Sequence, residues 1–291
     1  MNQSTAMTIA FILVFLIMIM VMRKKLERVT PKKQNYLDSV NTGMKQLYMN
    51  IPNKNMKCNS VGVYNFKGKS PGPHVLIVAG THGNEPAGTI ACFNMLRKLD
   101  EGKWRVNSGE ITIIPAVNLC GLLNYERLNP HADHNNGDIN RTYPKEYGYP
   151  ADTKINGQII EYLDRADWVI DCHEAHGYYQ LNNTPFQLNY SMGSTVTHGK
   201  TDESKIMTKK AINEVNKLID DNDRVRKFVT FPDSELPGSF RYYVNKANKH
   251  YMLIETTGQN EIQRMSVRVL QQLTVIKTVL LELKMISIDK N

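Results

Sequence analysis

Several residues that could bind a cation or move a proton fall at or just beyond the ends of apolar runs. His82 and Glu85 follow HVLIVAG (74–80), Asn118 closes EITIIPAVN (110–118), His173 closes DWVIDC (167–172), and Glu255 follows YMLI (251–254). His82-Gly83-Asn84-Glu85 is an H-x-x-E pair on a tight turn. An imidazole nitrogen and a carboxylate three residues apart can reach one ion. A catalytic zinc site takes three such N/O donors and leaves a position for water, so His173 is the expected third ligand. On its own an H-x-x-E pair is common, and a turn histidine bonded to its surroundings is the plainer reading. The strand-end context and the partners further along the chain favour the metal. His173-Glu174-Ala175-His176 is not an H-E-x-x-H helix motif, because its histidines are three apart rather than four. His176 is expected to line the pocket or face solvent, and Glu174 to lie behind the ligands or on the surface. A carboxylate after Leu253-Ile254 is costly in a core strand unless it is used or paired. Glu255 is therefore read as a general base that takes a proton from zinc-bound water and later returns it to a leaving amine. An ion pair with a nearby arginine is the structural alternative.

Two arginines lie in the polar stretch between these runs. DINRTYP holds Asn140 and Arg141, and Arg127 lies upstream. The planar fork of arginine matches a carboxylate, and an adjacent asparagine adds a donor, although arginines in polar loops are more often simply solvated.

The elements that must position these residues alternate. The pattern predicts strands at 74–80, 110–118, 167–172, 227–231 and 251–258. The third of these strands extends through DWVIDCHE to 174. Helices are predicted from Pro86 to about Leu99 and over 153–165, 202–220 and 260–286. Residues 119–150 read as a long functional loop and 175–200 as irregular. Alternation of this kind implies an α/β fold, a mixed, mainly parallel sheet with helices on both faces. In open sheets of that kind ligands bind beyond the carboxyl ends of the strands, so residues far apart in sequence can meet in one crevice.

Composition bounds the rest. The 291 residues, 41% hydrophobic, suit one globular α/β domain and not a polytopic membrane protein. Arg23, Lys24, Lys25, Arg28, Lys32 and Lys33 carry most of the +8 charge, which falls to +2 without them, so the basicity does not argue for nucleic acid. The four cysteines form no CxxC pair and read as reduced, buried thiols. Ala6–Met22 is uncharged and is read as an uncleaved transmembrane helix rather than a signal peptide, which would need a basic n-region. The expected organisation is a short tail (1–5), an anchor (6–22), a basic flank and linker (23–55) and a hydrolase domain (56–291). Basic residues on the C-terminal flank alone place that domain in the cytoplasm of a single-pass membrane protein. The sequons at Asn182 and Asn189 do not alter this, since such short patterns recur by chance.

THGNEP, DINRTYP, DCHE and IETTG, in this order, resemble the succinylglutamate desuccinylase/aspartoacylase family of the zinc carboxypeptidase superfamily, over roughly residues 60–285. The resemblance implies one zinc per chain on His82, Glu85 and His173. It implies Asn140 and Arg141 as the grip on a substrate carboxylate, Arg127 as the group stabilising the oxyanion, Glu255 as the catalytic glutamate, and a mixed eight-stranded sheet. Aspartoacylases continue past the glutamate into a further β-rich domain, whereas 36 residues follow Glu255 here. The mobile tyrosine of carboxypeptidases counts back to Asp233, with Tyr242 and Tyr243 nearby. The leading expectation is amide hydrolysis of an N-acyl amino acid or related carboxylate-bearing substrate. A membrane-anchored carboxypeptidase acting on peptides is the second, and a membrane-tethered binding protein without catalysis is the third.

Overall fold

The structure is a computed structural model, which describes residues 60–131, 137–181, 191–231, 236–258 and 262–289. The described strands are β1 (Tyr64–Lys67), β2 (Ser70–Ala79), β3 (Trp104–Val106), β4 (Ser108–Ile114), β5 (Trp168–Ala175), β6 (Thr195–His198), β7 (Val229–Thr230), β8 (His250–Thr257) and β9 (Ile286–Ile288). The helices are α1 (Pro86–Asp100), α2 (Leu119–Asn124), α3 (Lys154–Leu163), α4 (Asp202–Asn216), α5 (Phe240–Lys246) and α6 (Met265–Glu282). Seven strands form one sheet in the order β1-β4-β2-β5-β8-β6-β7, and β3 pairs with β9 apart from it.

The four central strands, β4-β2-β5-β8, are all parallel. Parallel strands lie covered on both faces and read as continuous apolar runs, which is why Val75–Ala79 and Trp168–Cys172 are buried throughout. β1 and β6 join antiparallel, so the sheet is mixed and mainly parallel, as expected. On one face Leu76, Val78 and Val169 pack against Ile159 of α3 and Phe240 and Tyr243 of α5. On the other, Ala87 and Ala91 of α1 pack against Val269 of α6.

Several expected elements differ. The strand expected over 110–118 stops at Ile114, because Pro115 cannot donate to the ladder; Asn118 instead caps α2, accepting from Gly121 N at 2.9 Å. The loop expected over 119–150 therefore opens with a helix, and the stretch expected to be irregular contains β6. The helix expected to run to residue 286 ends at Glu282, and β9 follows it. Among the described residues the main sheet has seven strands rather than eight. Cys92 and Cys172 are buried free thiols as expected, but Cys120 is disulfide-bonded, a pairing that sequence spacing does not signal.

The membrane localisation is corrected. No helix among the described residues is long and apolar enough to cross a membrane, so a single-pass membrane protein is not supported. The expected tail, anchor and linker (1–5, 6–22 and 23–55) lie outside the described residues.

Candidate metal centre and active site

The register of the parallel strands assembles the site. His173 on β5 lies directly opposite Glu255 on β8. Asp171, two residues before His173, shares its face, because side chains alternate along a strand. His82 and Glu85 sit on the turn between β2 and α1, with Glu85 at the N-cap position of the helix. That turn packs closely on α2. A Cβ on Gly83 would lie 1.9 Å from the carbonyl carbon of Gly121, so glycine is required there by close approach of two backbones. The carbonyl of Arg127 accepts from Gly83 N at 3.4 Å and from Asn118 Nδ2 at 3.2 Å, which ties the arginine loop to the same turn.

His82, Glu85 and His173 converge. One donor atom from each lies within 4.8 Å of the others, and all three residues are buried. His82 Nδ1 is 2.8 Å from Glu85 Oε1, and His173 Nδ1 is 2.8 Å from Glu85 Oε2. The far nitrogens face other carboxylates: His82 Nε2 is 3.2 Å from Asp138 Oδ1, and His173 Nε2 is 3.2 Å from Asp171 Oδ1. Metal-ligating histidines are commonly oriented by a carboxylate on the nitrogen away from the metal. Here both imidazoles turn Nδ1 toward one point and Nε2 toward an aspartate, so the residues present fit a divalent cation held by two nitrogens and a carboxylate. Tyr251 OH donates to Asp171 Oδ2 at 2.8 Å, and the backbone N–H of Glu174 donates to Glu85 Oε2 at 3.1 Å.

The side chains of the cluster shift one another's ionisation. Burial works to raise the Glu85 carboxyl pKa, but the His82 and His173 imidazoles outweigh it and hold it well below the usual range. For His173, burial disfavours the charge, yet Asp171 and Glu85 raise its pKa well above the ordinary value. Burial opposes ionisation of Asp138 too. The His82 hydrogen bond, with the charges of His82, Arg127 and Arg141, brings its pKa down to about 2. Glu255 goes the other way: desolvation, with Glu85 and Asp171 adding repulsion against the attraction of His173 and Arg127, pushes it up to about 8. Glu85 and Glu255, on either side of β5, thus have opposite tendencies, the separation expected of a ligand and a proton carrier.

The cluster opens into a cavity of about 260 Å³ whose lining includes Arg127, Asn140, Arg141, Arg241, Tyr251 and Glu255. All seven site residues expected from sequence therefore border one space. Arg127 contacts Glu85 through Nη1 at 3.0 Å and Asp138 through Nη2 at 3.5 Å. Asn140 accepts from Phe240 N at 2.8 Å, so its carbonyl oxygen is used within the protein and its amide N–H groups remain for another acceptor. Arg141 is exposed and donates to Asn140 O at 2.7 Å. Exposed His176 is part of the lining.

Sequence reasoning missed Asp138, Asp171, Arg241 and Tyr251. Asp138 opens the DINRTYP segment, and strand alternation already placed Asp171 beside His173; both signals were readable. Arg241 follows the Ser239 cap of α5 and carries no local signal. Position 233, matched to the mobile tyrosine, lies outside the described residues. Tyr243 is buried against Tyr143 and Tyr147, and Tyr242 stacks under Lys246. Among the described residues Tyr251 is the tyrosine in the cavity lining.

Comparison with known proteins agrees with the motifs. Residues 71–186 match the succinylglutamate desuccinylase/aspartoacylase catalytic domain. This is the family read from the sequence motifs. The matched stretch contains His82, Glu85, Arg127, Asn140, Arg141 and His173, while Glu255 lies beyond it. The desuccinylase/aspartoacylase match has a counterpart in fold. The structure superposes on the cell shape determinant Csd4 of Helicobacter pylori (Gln46His variant) with a TM-score of 0.60 at 18% identity, covering 79% of this chain and 57% of that one. It superposes on a succinylglutamate desuccinylase/aspartoacylase of Rhodobacter sphaeroides with a TM-score of 0.53 at 19% identity, covering 78% and 60%. The chain thus spans less than two thirds of either. No curated protein sequence matches it.

Proposed function

We propose that this chain is a zinc-dependent hydrolase that cleaves the amide bond of an N-acyl amino acid or a related substrate carrying a free carboxylate. The observation that carries the reading is the convergence of one donor atom each from His82, Glu85 and His173 within 4.8 Å, in the lining of a cavity that Glu255 also borders. Zinc held by these residues would supply Lewis-acid chemistry, polarising a carbonyl and lowering the pKa of water.

The chain's own residues do the rest. Asn140 and Arg141 bind the substrate carboxylate through N–H donors and so set the scissile amide in place. The Glu255 carboxylate takes a proton from the attacking water as its oxygen bonds to the carbonyl carbon. It then delivers that proton to the amide nitrogen as the C–N bond breaks. The positive charge of a bound cation would favour the carboxylate form needed for the first step, and the desolvated surroundings that raise the Glu255 pKa favour keeping the proton until the second. The Arg127 guanidinium stabilises negative charge on the carbonyl oxygen in the tetrahedral state, where such a donor is worth most.

A second reading, hydrolysis of peptides with a free C-terminal carboxylate, is favoured by the likeness to Csd4. That protein is described as a D,L-carboxypeptidase and has been crystallised with a tripeptide. Steady-state rates of the zinc-loaded protein on a panel of N-acyl amino acids and short peptides, each as acid and amide, test both readings. Turnover of acylamino acids alone supports the first and of peptides alone the second. No turnover of either class contradicts both.

A further inference from the structure

We infer that the buried Glu174–Arg268 ion pair is a positioning device that sets the Glu85 carboxylate for metal binding by pinning the first turn of α1. The inference rests on the zinc-site reading above. Glu174 follows His173 on β5, so its side chain leaves the sheet on the opposite face, toward α1 and α6. Its Oε1 accepts from Ala87 N at 2.7 Å. Ala87 is in the first turn of α1, immediately after the Glu85 N-cap and Pro86, and no side chain caps that helix locally. A backbone donor that the helix cannot satisfy itself is thus satisfied from the neighbouring strand. The other carboxylate oxygen of Glu174 accepts from Arg268 Nη1 on α6. The backbone of the same residue completes the arrangement, because Glu174 N donates to Glu85 Oε2 at 3.1 Å. One residue therefore holds both the ligand carboxylate and the helix turn that carries it.

The pair is built into the packing. Glu174 is 1% exposed and Arg268 2%, so neither charge is shared with water. The chain after Glu255 runs directly over them. A Cβ on Gly258 would lie 2.1 Å from Arg268 Nη1 and 2.3 Å from Glu174 Oε2, so the glycine that ends IETTG makes room for the pair. α6 reinforces the contact one turn on, where Gln272 Nε2 donates to His173 O at 2.8 Å and to Thr256 Oγ1 at 3.2 Å. α6 thus ties the ligand turn, the ligand strand and the Glu255 strand together from the face away from the cavity. A buried ion pair brings little net stability compared with well-packed apolar residues, and this one is placed where orientation is what it can contribute.

The test is zinc affinity of the full-length protein, measured by competition with a chromogenic chelator, alongside thermal unfolding of the zinc-free form. Arg268→Met takes the guanidinium from a buried carboxyl group, and should lower both the melting temperature and zinc affinity, the latter about 10-fold or more. That variant is read beside two neutral pairs that remove the buried carboxyl group as well. Glu174→Gln/Arg268→Met keeps an oxygen for Ala87 N and should recover both stability and most of the affinity. Glu174→Leu/Arg268→Met should recover stability but stay about 10-fold weak for zinc, because the turn is no longer held. Wild-type zinc affinity in a folded Glu174→Leu/Arg268→Met protein overturns the inference while leaving the zinc site standing. Absence of zinc binding in the unmodified protein overturns both.

Discussion

Replacing Asp138 by asparagine probes the support beneath the metal site without touching a ligand. Asp138 Oδ1 is 3.2 Å from His82 Nε2 and 3.0 Å from Asn140 N, and Oδ2 is 3.5 Å from Arg127 Nη2. Removing its charge weakens the orientation of the His82 ring, and zinc affinity should fall about 10- to 100-fold, or about 1.4–2.7 kcal/mol. The same carboxylate carries a pH signature in the zinc-free protein. Its folded pKa of about 2 is below its ordinary 3.8, a difference worth roughly 2.4 kcal/mol. Arg127 is partly solvent-exposed, and screening reduces this to about 1–2 kcal/mol. Because the folded pKa is depressed, that stability is present above about pH 4 and is lost as the pH falls toward 2. About two thirds of it is gone by pH 2.5, so between pH 5 and 2.5 the unfolding free energy of the wild type should drop by about 0.7–1.3 kcal/mol more than that of Asp138→Asn. Denaturant titrations across this range, with chelator-competition titrations at neutral pH, measure both effects. Unchanged zinc affinity together with parallel acid slopes refutes the argument.

Three further outcomes follow from the site. Glu255→Gln should keep its zinc and lose turnover by about 100-fold or more, the usual scale for a positioned general base; wild-type rates in that variant remove Glu255 from the reaction. Arg141→Ala should weaken binding of substrates with a free carboxylate more than of their amides, read as a selective rise in KM for the acids; equal losses on both would deny it that role. Zinc takes only a neutral imidazole, and Asp171 and Glu85 raise the His173 pKa against the effect of burial, so apparent zinc affinity should rise with pH, by about 10-fold per pH unit for each proton released. Calorimetry in buffers of different ionisation enthalpy counts those protons, and a count of zero contradicts the ligand assignment.

The parts of this account that were legible in the sequence share a physical basis. The runs at 74–80, 167–172 and 251–258 are apolar because parallel strands are buried on both faces, and a polar residue at their ends is conspicuous for the same reason. His82, Glu85, His173 and Glu255 were visible in that way. Arg127, Asn140 and Arg141 carried weak local signals and became readable through the motif order. Asp171 could have been found from alternation alone. Arg268 could not, since a charged residue in an amphipathic helix reads as solvent-facing until the fold places it under Gly258. The early end of β4 and the capping of α2 by Asn118 were hidden by the apolar residues Ala116 and Val117, which are buried without being part of the strand.

The central claim is that His82, Glu85 and His173 hold one zinc ion. Metal analysis of the purified, zinc-reconstituted protein after exhaustive dialysis tests it directly, with His82→Ala and His173→Ala measured in parallel. The account predicts about one zinc per wild-type chain and a loss of tight binding in both variants. A wild-type protein that retains no zinc, or variants that retain it as well as the wild type does, would contradict it.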